Sequence, residues 1–273
     1  MNIKFSSNVE LGIREVRQVT GLLKDKYGLD YSDYALTSFK RRVENFLSTK
    51  RYGIEELLKQ LASPDFLDHF AGKIAVPETE MFRDPTFWIL LKNNYISNLV
   101  KENPKTKIWL PMCASGEEYF SLAILLKECA WTDSIEVFVS SMSNESLEEI
   151  RHGAMCVEKL EVSSKNYSRF QGTSNFADYY KTSGNKVIFD KTLFSNTKFF
   201  KDGLDFSKEM PHINLVLFRN KFIYFNSSLQ YKVCDALYNK MAAKGLLALG
   251  VLEEVEGKFS PVNKNESVFL RRG

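Results

Sequence analysis

Three histidines and four cysteines are the whole supply of soft metal ligands and thiol nucleophiles in this 273-residue chain. Cys113, Cys129, Cys156 and Cys234 form no CxxC pair and have no histidine at zinc-ligand spacing. That excludes zinc-ribbon and thioredoxin-type motifs and leaves reduced thiols. His69, His152 and His212 are scattered, so neither a metal site nor a histidine-centred triad is expected. No window approaches the roughly 18 apolar residues of a membrane span, and no membrane insertion is expected. Met1-Asn2-Ile3-Lys4-Phe5-Ser6-Ser7 carries no apolar signal core, so the expected location is the cytoplasm. A net charge of +3 is too small to argue for a nucleic-acid partner. Neither G-x-G-x-x-G nor G-x-x-x-x-G-K occurs at a strand-to-helix turn, which removes the dinucleotide and P-loop fingerprints. What is present is an ordinary globular balance, 44% hydrophobic and 26% charged, in a chain long enough for two domains and a sizeable core.

The first 72 residues read as helical. Val9, Ile13, Val16, Val19 and Leu23 recur at three- and four-residue steps, and Gly28 is a natural C-cap. Ser32 or Asp33 is placed to cap the next helix. Its apolar stripe is Leu36, Phe39, Val43, Phe46 and Leu47, and Lys40, Arg41, Arg42, Lys50 and Arg51 make the other face basic. Short helices follow around 54–61 and 66–70. After a linker, Phe87, Leu90, Leu91, Tyr95, Ile96 and Leu99 mark an amphipathic helix.

The period then changes. Residues 108–112 and 135–140 read as buried strands, each leading into a helix (119–129 and 144–151), the pattern of a parallel α/β sheet. The stretch from Met155 to Phe189 is looser and reads as a small antiparallel insertion. Residues 213–218, 246–250 and 267–270 read as further strands, with a helix over 226–243. The expected organisation is an all-α domain over 1–72 and an α/β domain over 73–273, with a β subdomain inserted at about 153–190.

Three segments carry candidate chemistry. In open α/β sheets ligands sit at the carboxyl ends of strands. There Cys113-Ala114-Ser115-Gly116-Glu117-Glu118 offers a glycine, free helix N–H groups and two carboxylates. The carboxylates either hold a cationic ligand such as an amino acid or a sulfonium, or simply complement the helix dipole. Arg219 and Asn220 follow the 213–218 strand; the alternative is a surface arginine and, further on, a core tyrosine at Tyr224. Arg83, in the linker after Thr79, either meets a carboxylate or makes an interdomain salt bridge.

Together these segments resemble one family. Glu78-Thr79-Glu80-Met81-Phe82-Arg83-Asp84 is similar to N-x-T-x-F-F-R-[DE], Ala114-Ser115-Gly116-Glu117-Glu118-Tyr119-Phe120-Ser121 to S-T-G-E-E-P-Y-S, and Phe218-Arg219-Asn220-Lys221-Phe222-Ile223-Tyr224-Phe225 to C-R-N-V-x-I-Y-F. Their order and separation are those of the chemotaxis receptor methyltransferases, the CheR family, and the resemblance covers nearly the whole chain. It implies a Rossmann-like, doubly wound methyltransferase sheet with a small antiparallel β insertion, preceded by an all-α domain. It implies S-adenosylmethionine as cofactor, S-adenosylhomocysteine as product, and O-methylation of glutamates on the cytoplasmic helices of methyl-accepting chemoreceptors. By carry-over, Arg83 and Tyr224 are catalytic. Thr79, Arg83, Gly116, Glu118, Ser141, Arg219 and Asn220 bind the cofactor, and Lys40, Arg41 and Arg42 face the receptor.

The departures fall in the cofactor pocket. Pro77 replaces an asparagine, Ser141 stands where the family has an aspartate after the second strand, and Leu193-Phe194 appears for an asparagine-leucine pair. Losing a hydrogen bond to a charged group costs about 1.5–3 kcal/mol, roughly ten- to a hundredfold in binding. Two readings therefore stay open: a working methyltransferase with an altered pocket, and a CheR-like pseudo-enzyme that serves as an interaction module.

Overall fold

The computed structural model describes residues 10–76, 78–103 and 105–273. Val9, the opening segment and Pro77, all used in the sequence reading, lie outside the described residues. Four helices come first: α1 (Ile13–Tyr27), α2 (Leu36–Lys50), α3 (Ile54–Gln60) and α4 (Pro64–Ile74). Gly28 ends α1 in the left-handed region, φ 69°, as its position predicts. The expected cap of α2 is absent. Ala35 precedes the helix with no side-chain cap, because Ser32 turns to Asp30 and Asp33 is drawn to Asn226 and Lys232, 3.1 and 2.8 Å away.

Helix α5 (Pro85–Leu90) continues through a π-helical turn (Leu91–Ile96) into α6 (Ser97–Glu102). The α/β body follows as β1 (Thr106–Leu110), α7 (Glu117–Glu128), β2 (Ile135–Ser141) and α8 (Asn144–Arg151). Next come β3 (Ala154–Cys156), α9 (Leu160–Phe170), β4 (Tyr180–Ser183), β5 (Lys186–Phe189) and β6 (Thr197–Lys201). The chain closes with β7 (Ile213–Leu217), α10 (Ser227–Lys240), β8 (Met241–Ala248), β9 (Phe259–Asn263) and β10 (Val268–Arg271). The large sheet runs β6-β2-β1-β7-β8-β10-β9, and a small sheet runs β3-β5-β4. β6, β2, β1, β7 and β8 pair in parallel, and β10 is antiparallel to β8 and β9. This is the Rossmann-like methyltransferase arrangement.

Alternation along the strands divides the core between the two faces. Ile108, Leu110, Val137, Val139, Leu215 and Leu217 pack with α5, α7 and α9. Trp109, Phe138, Val216 and Leu247 pack with α10 and also with Val16, Val19, Phe39, Val43 and Phe70 of the first four helices. The opening helices thus cover one face of the sheet.

Three elements were not anticipated. The looser stretch holds the expected antiparallel strands, and Gly184 (φ 56°) turns the β4–β5 hairpin. It also holds helix α9, where Ser163 and Asn166 had read as a polar spacer. β6 and β9 are the two outermost strands of the sheet, and their half-exposed residues give no apolar run.

Candidate functional site

The sheet changes winding direction between β1 and β7: β2 lies to one side of β1, β7 to the other. The crevice outside such a switch point is where α/β sheets bind ligands. Three loops meet there, those after β1, β2 and β7, and the linker of residues 78–84 lies against them.

The turn after β1 depends on Gly116. It sits at φ 92°, and a Cβ there would come within 2.8 Å of the Phe120 ring and 3.2 Å of Ile150, so a side chain fits neither the conformation nor the space. Beyond it the paired carboxylates divide. Consecutive helical positions lie about 100° apart. Glu117 turns inward, is 1% exposed and pairs with Lys159. Burial first, then repulsion from Glu78, raises its pKa, with Lys159 opposing. Glu118 turns to the crevice, with Arg219 at 3.5 Å and Lys221 at 3.9 Å. Burial raises its pKa, and the two cations oppose the rise.

Arg219 leaves β7 directly into this cluster. Its side chain is 2% exposed and donates to Asp84 at 2.7 Å and to the Arg83 carbonyl at 3.3 Å. The guanidinium lies 3.9 Å over the Phe87 ring. Asn220 follows at φ 57°, held by the buried carboxylate of Glu253, which accepts from the N–H groups of Asn220, Ile223 and Gly250. The linker above is held in an unfavourable backbone, with Phe82 at φ 50° and Asp84 at φ 56°.

Thr79, Arg83, Glu118, Arg219, Asn220 and Tyr224 line one cavity of about 50 Å³. Arg83 Nη1 donates to Thr79 Oγ1 at 3.3 Å, and among the described residues no carboxylate lies within ion-pair distance of Arg83. The interdomain salt bridge considered for it is therefore absent. Tyr224 is half-buried at the cavity wall. Two expected cofactor contacts stand apart. Gly116 contributes its N–H but does not line the cavity, and Ser141 lines a neighbouring apolar crevice with Met112, Met142 and Phe225. Leu193 and Phe194 are core residues, Phe194 packing 5.2 Å from the Tyr119 ring.

The basic face of α2 needs a correction. Arg41 is exposed and Lys40 is half-buried beside Glu44. Arg42 is not on the solvent face: its guanidinium lies 5.6 Å over Tyr34 and 5.4 Å over Tyr224, with Nε and Nη2 buried and unpartnered. The α1–α2 loop brings it there. Tyr34 bridges to Phe225, and the Ala35 N–H donates to the Tyr224 carbonyl at 2.8 Å.

Four residues escaped the sequence reading. Glu78 accepts hydrogen bonds from the Ala114, Ser115 and Gly116 N–H groups. Lys221, 4% exposed, stands where the family stretch has valine, which was the available signal. Glu253 had none beyond following Gly250. Asp202 follows β6, donates its N–H to Ser141 O, and has a buried, unpartnered Oδ2. Among the described residues no cluster suits a metal ion, and no helix is long and apolar enough to cross a membrane.

Residues 77–268 match the family model described as CheR methyltransferase, SAM binding domain. The chain is similar to Cher3 of Pseudomonas putida, 28% identical over 264 residues, which span 94% of this chain and 96% of that protein. It is similar to the chemotaxis protein methyltransferases of Listeria innocua (24% identical; 86% and 88% of the two chains) and Borreliella burgdorferi (21%; 96% and 94%). The residues at the head of the crevice suit S-adenosylmethionine in kind: Glu118 for a cation, the N–H groups at the start of α7, which Glu78 holds in this structure, and an unpartnered nitrogen on Arg219. The cavity, at about 50 Å³, is smaller than the ~300–1,000 Å³ that small-molecule sites commonly enclose. With that domain matched across most of its length, the chain belongs to the CheR methyltransferase family and carries its S-adenosylmethionine-binding domain.

Proposed function

We propose that the protein transfers a methyl group to glutamate side chains on the cytoplasmic helices of chemoreceptors, forming methyl esters, and that it works in the cytoplasm. The observation that carries this is the convergence of three distant segments, at Thr79–Arg83, Glu118 and Arg219–Tyr224, on one cavity at the strand ends. The names of the Listeria and Borreliella relatives support the chemotaxis setting. S-adenosylmethionine supplies an electrophilic methyl group on a sulfonium. A glutamate carboxylate, with an ordinary pKa near 4.3, is already ionised at neutral pH. The site therefore needs no strong base, and alignment and electrostatics suffice. Arg83, with no carboxylate partner among the described residues, is positioned to hold the acceptor carboxylate, and the Tyr224 hydroxyl to orient it. Glu118 and Arg219 line the cofactor side, with Thr79, Asn220, Gly116, Ser141 and Asp202 around it. Residues 1–72 form the receptor-facing domain in this reading, with Arg41 outermost and Lys40 half-buried beside Glu44.

The test is transfer of labelled methyl groups to a cognate receptor fragment. Arg83→Ala and Tyr224→Phe should each suppress transfer by roughly ten- to a thousandfold while leaving the melting temperature nearly unchanged. One observation favours the second reading, an interaction module: the buried cation Lys221 in the crevice. If the unmutated protein binds S-adenosylhomocysteine yet methylates no cognate receptor, that reading replaces the first.

A further inference from the structure

The crevice at the switch point is filled from within. One Glu78 carboxylate oxygen accepts from Ser115 N at 2.8 Å and from Ala114 N and Gly116 N at 3.3 Å, and also from Ser115 Oγ at 3.0 Å. It sits where the N–H groups at the start of α7 present positive charge. The other oxygen lies 3.9 Å from Lys221 Nζ, which lies 3.9 Å from Glu118 Oε2. Both side chains are out of solvent, Glu78 at 11% and Lys221 at 5% exposure. Lys221 lines the cavity of Glu118 and also the crevice of Ser141, so it stands between the two halves of the site.

This pair has the chemistry of a ligand end. An amino-acid group carries a carboxylate and an ammonium a short distance apart. Here a carboxylate occupies the N–H turn and an ammonium faces the Glu118 carboxylate. We infer that Glu78 and Lys221 occupy the place of the amino-acid end of S-adenosylmethionine and hold the pocket shut, so that the nucleoside enters only as the linker of residues 78–84 withdraws. The inference rests on cofactor binding at this crevice and not on glutamate being the methyl acceptor.

Two features make the pair displaceable. Its two ion contacts, at 3.9 Å, are longer than hydrogen bonds, which run about 2.7–3.2 Å. The linker that carries Glu78 also holds Phe82 and Asp84 at positive φ, a strained state that a second conformation can relieve. Burial disfavours the Lys221 ammonium, but Glu118 and Glu78 more than offset it and keep it charged. Burial also disfavours the Glu78 carboxylate, but Lys221 and the Ser115 N–H hold its pKa below the usual range. The closed arrangement is thus an ion pair rather than a neutral one. A ligand that binds an open minority conformer has its apparent affinity reduced to the intrinsic affinity multiplied by the open fraction.

Calorimetric titration of the full chain with S-adenosylhomocysteine tests this. Glu78→Gln should bind at least about tenfold tighter than the unmutated protein. Lys221→Met should shift preference toward S-adenosylmethionine, whose sulfonium replaces the lost positive charge. Affinity unchanged or weakened in Glu78→Gln overturns the inference, weakening because it would make Glu78 a direct ligand. Hydrogen exchange on the unmutated protein decides the matter if a variant does not fold. S-adenosylhomocysteine should speed exchange over residues 78–84, where the Met81 and Phe82 amides are hydrogen-bonded, while the 114–116 amides stay protected; slowing or no change over 78–84 overturns the inference. Should neither the protein nor Glu78→Gln bind S-adenosylhomocysteine, the cofactor assignment to this crevice fails and the inference fails with it. Binding by the unmutated protein, with Glu78→Gln no tighter, removes the inference alone.

Discussion

Arg219→Met separates a clasp from a passive lining residue. Arg219 joins the end of β7 to the linker through Asp84 at 2.7 Å and the Arg83 carbonyl at 3.3 Å, and reaches Glu118 at 3.5 Å. Methionine keeps contact with the Phe87 ring and removes the charge and its donors. Removing one partner of a buried ion pair costs about 3–5 kcal/mol, mostly through the charges left behind. Here the orphans are partly provided for. The Asp84 side chain is 28% exposed and can rehydrate, and Glu118, 8% exposed, keeps Lys221 at 3.9 Å. The loss should therefore fall near the low end, about 3 kcal/mol, or a melting-temperature drop of roughly 6–12 °C for a chain of this size. Urea denaturation should show a lower midpoint with an unchanged slope. Asp84→Asn in the Arg219→Met background should cost less than in the unmutated protein, the two sites coupling by about 0.5–3 kcal/mol. A loss under about 1 kcal/mol, with no coupling, would refute the clasp.

Three more outcomes are expected. Gly116→Ala forces a Cβ into left-handed backbone at about 1–2 kcal/mol and against Phe120 and Ile150 at about 1–3 kcal/mol. Denaturation should show the combined loss of about 2–5 kcal/mol, and a negligible change would mean that the turn relaxes. Arg42→Glu would set a carboxylate against the Tyr34 and Tyr224 rings and should lower the melting temperature, whereas Arg41→Glu, on the surface, should stay within about ±0.5 kcal/mol; equal effects would contradict the placement of Arg42. Asp30 is held at about 2, below its usual 3.8, by hydrogen bonds from Lys24 and Ser32. A depressed acid stabilises the fold above its unfolded pKa and loses that contribution as pH falls through the folded one. Asp30→Asn should thus be less stable than the parent at pH 6, with the gap closing as pH falls from about 4 to 2; a pH-independent gap would contradict the assignment.

How legible the molecule is from its sequence depends on where each residue finds its partner. The parallel core was readable because β1, β2 and β7 are buried runs bounded by turns, and Gly116 because its conformation admits little else. Helix α9 was hidden by its own function in the fold. Its buried face includes Ser163 and Asn166, which bond the Met81 N–H and carbonyl of the linker. Tyr167 and Phe170 enter the core, but Ser163 and Asn166 share their face and serve backbone, so the apolar stripe is interrupted and periodicity does not find it. The pairings of Glu117 with Lys159 and of Lys221 with Glu78 and Glu118 join distant parts of the chain and leave no local pattern. Lys221 could be noticed only as a lysine where a family stretch has valine.

The same reasoning bears on how α2 and the crevice are joined. A basic helix read from sequence alone is a uniform solvated face, with each cation acting through water and weakly. The fold breaks that uniformity. Asp33 ties to Asn226 and Lys232, Tyr34 bridges to Phe225, and Ala35 bonds the Tyr224 carbonyl. These contacts fix the start of α2 to the loop that carries Tyr224, so Arg42 sits over the tyrosine ring while Arg41, one residue earlier, points outward. Contacts of a partner with Arg41 and contacts of Arg42 with Tyr224 therefore belong to one rigid helix. Helix α2 thus holds the Tyr224 side of the crevice, and the linker of residues 78–84 holds the Glu78 side. Two walls of the crevice are thus attached to elements outside the sheet, and the sheet, with Arg219 just past β7 and Glu118 in the first turn of α7, supplies the floor between them.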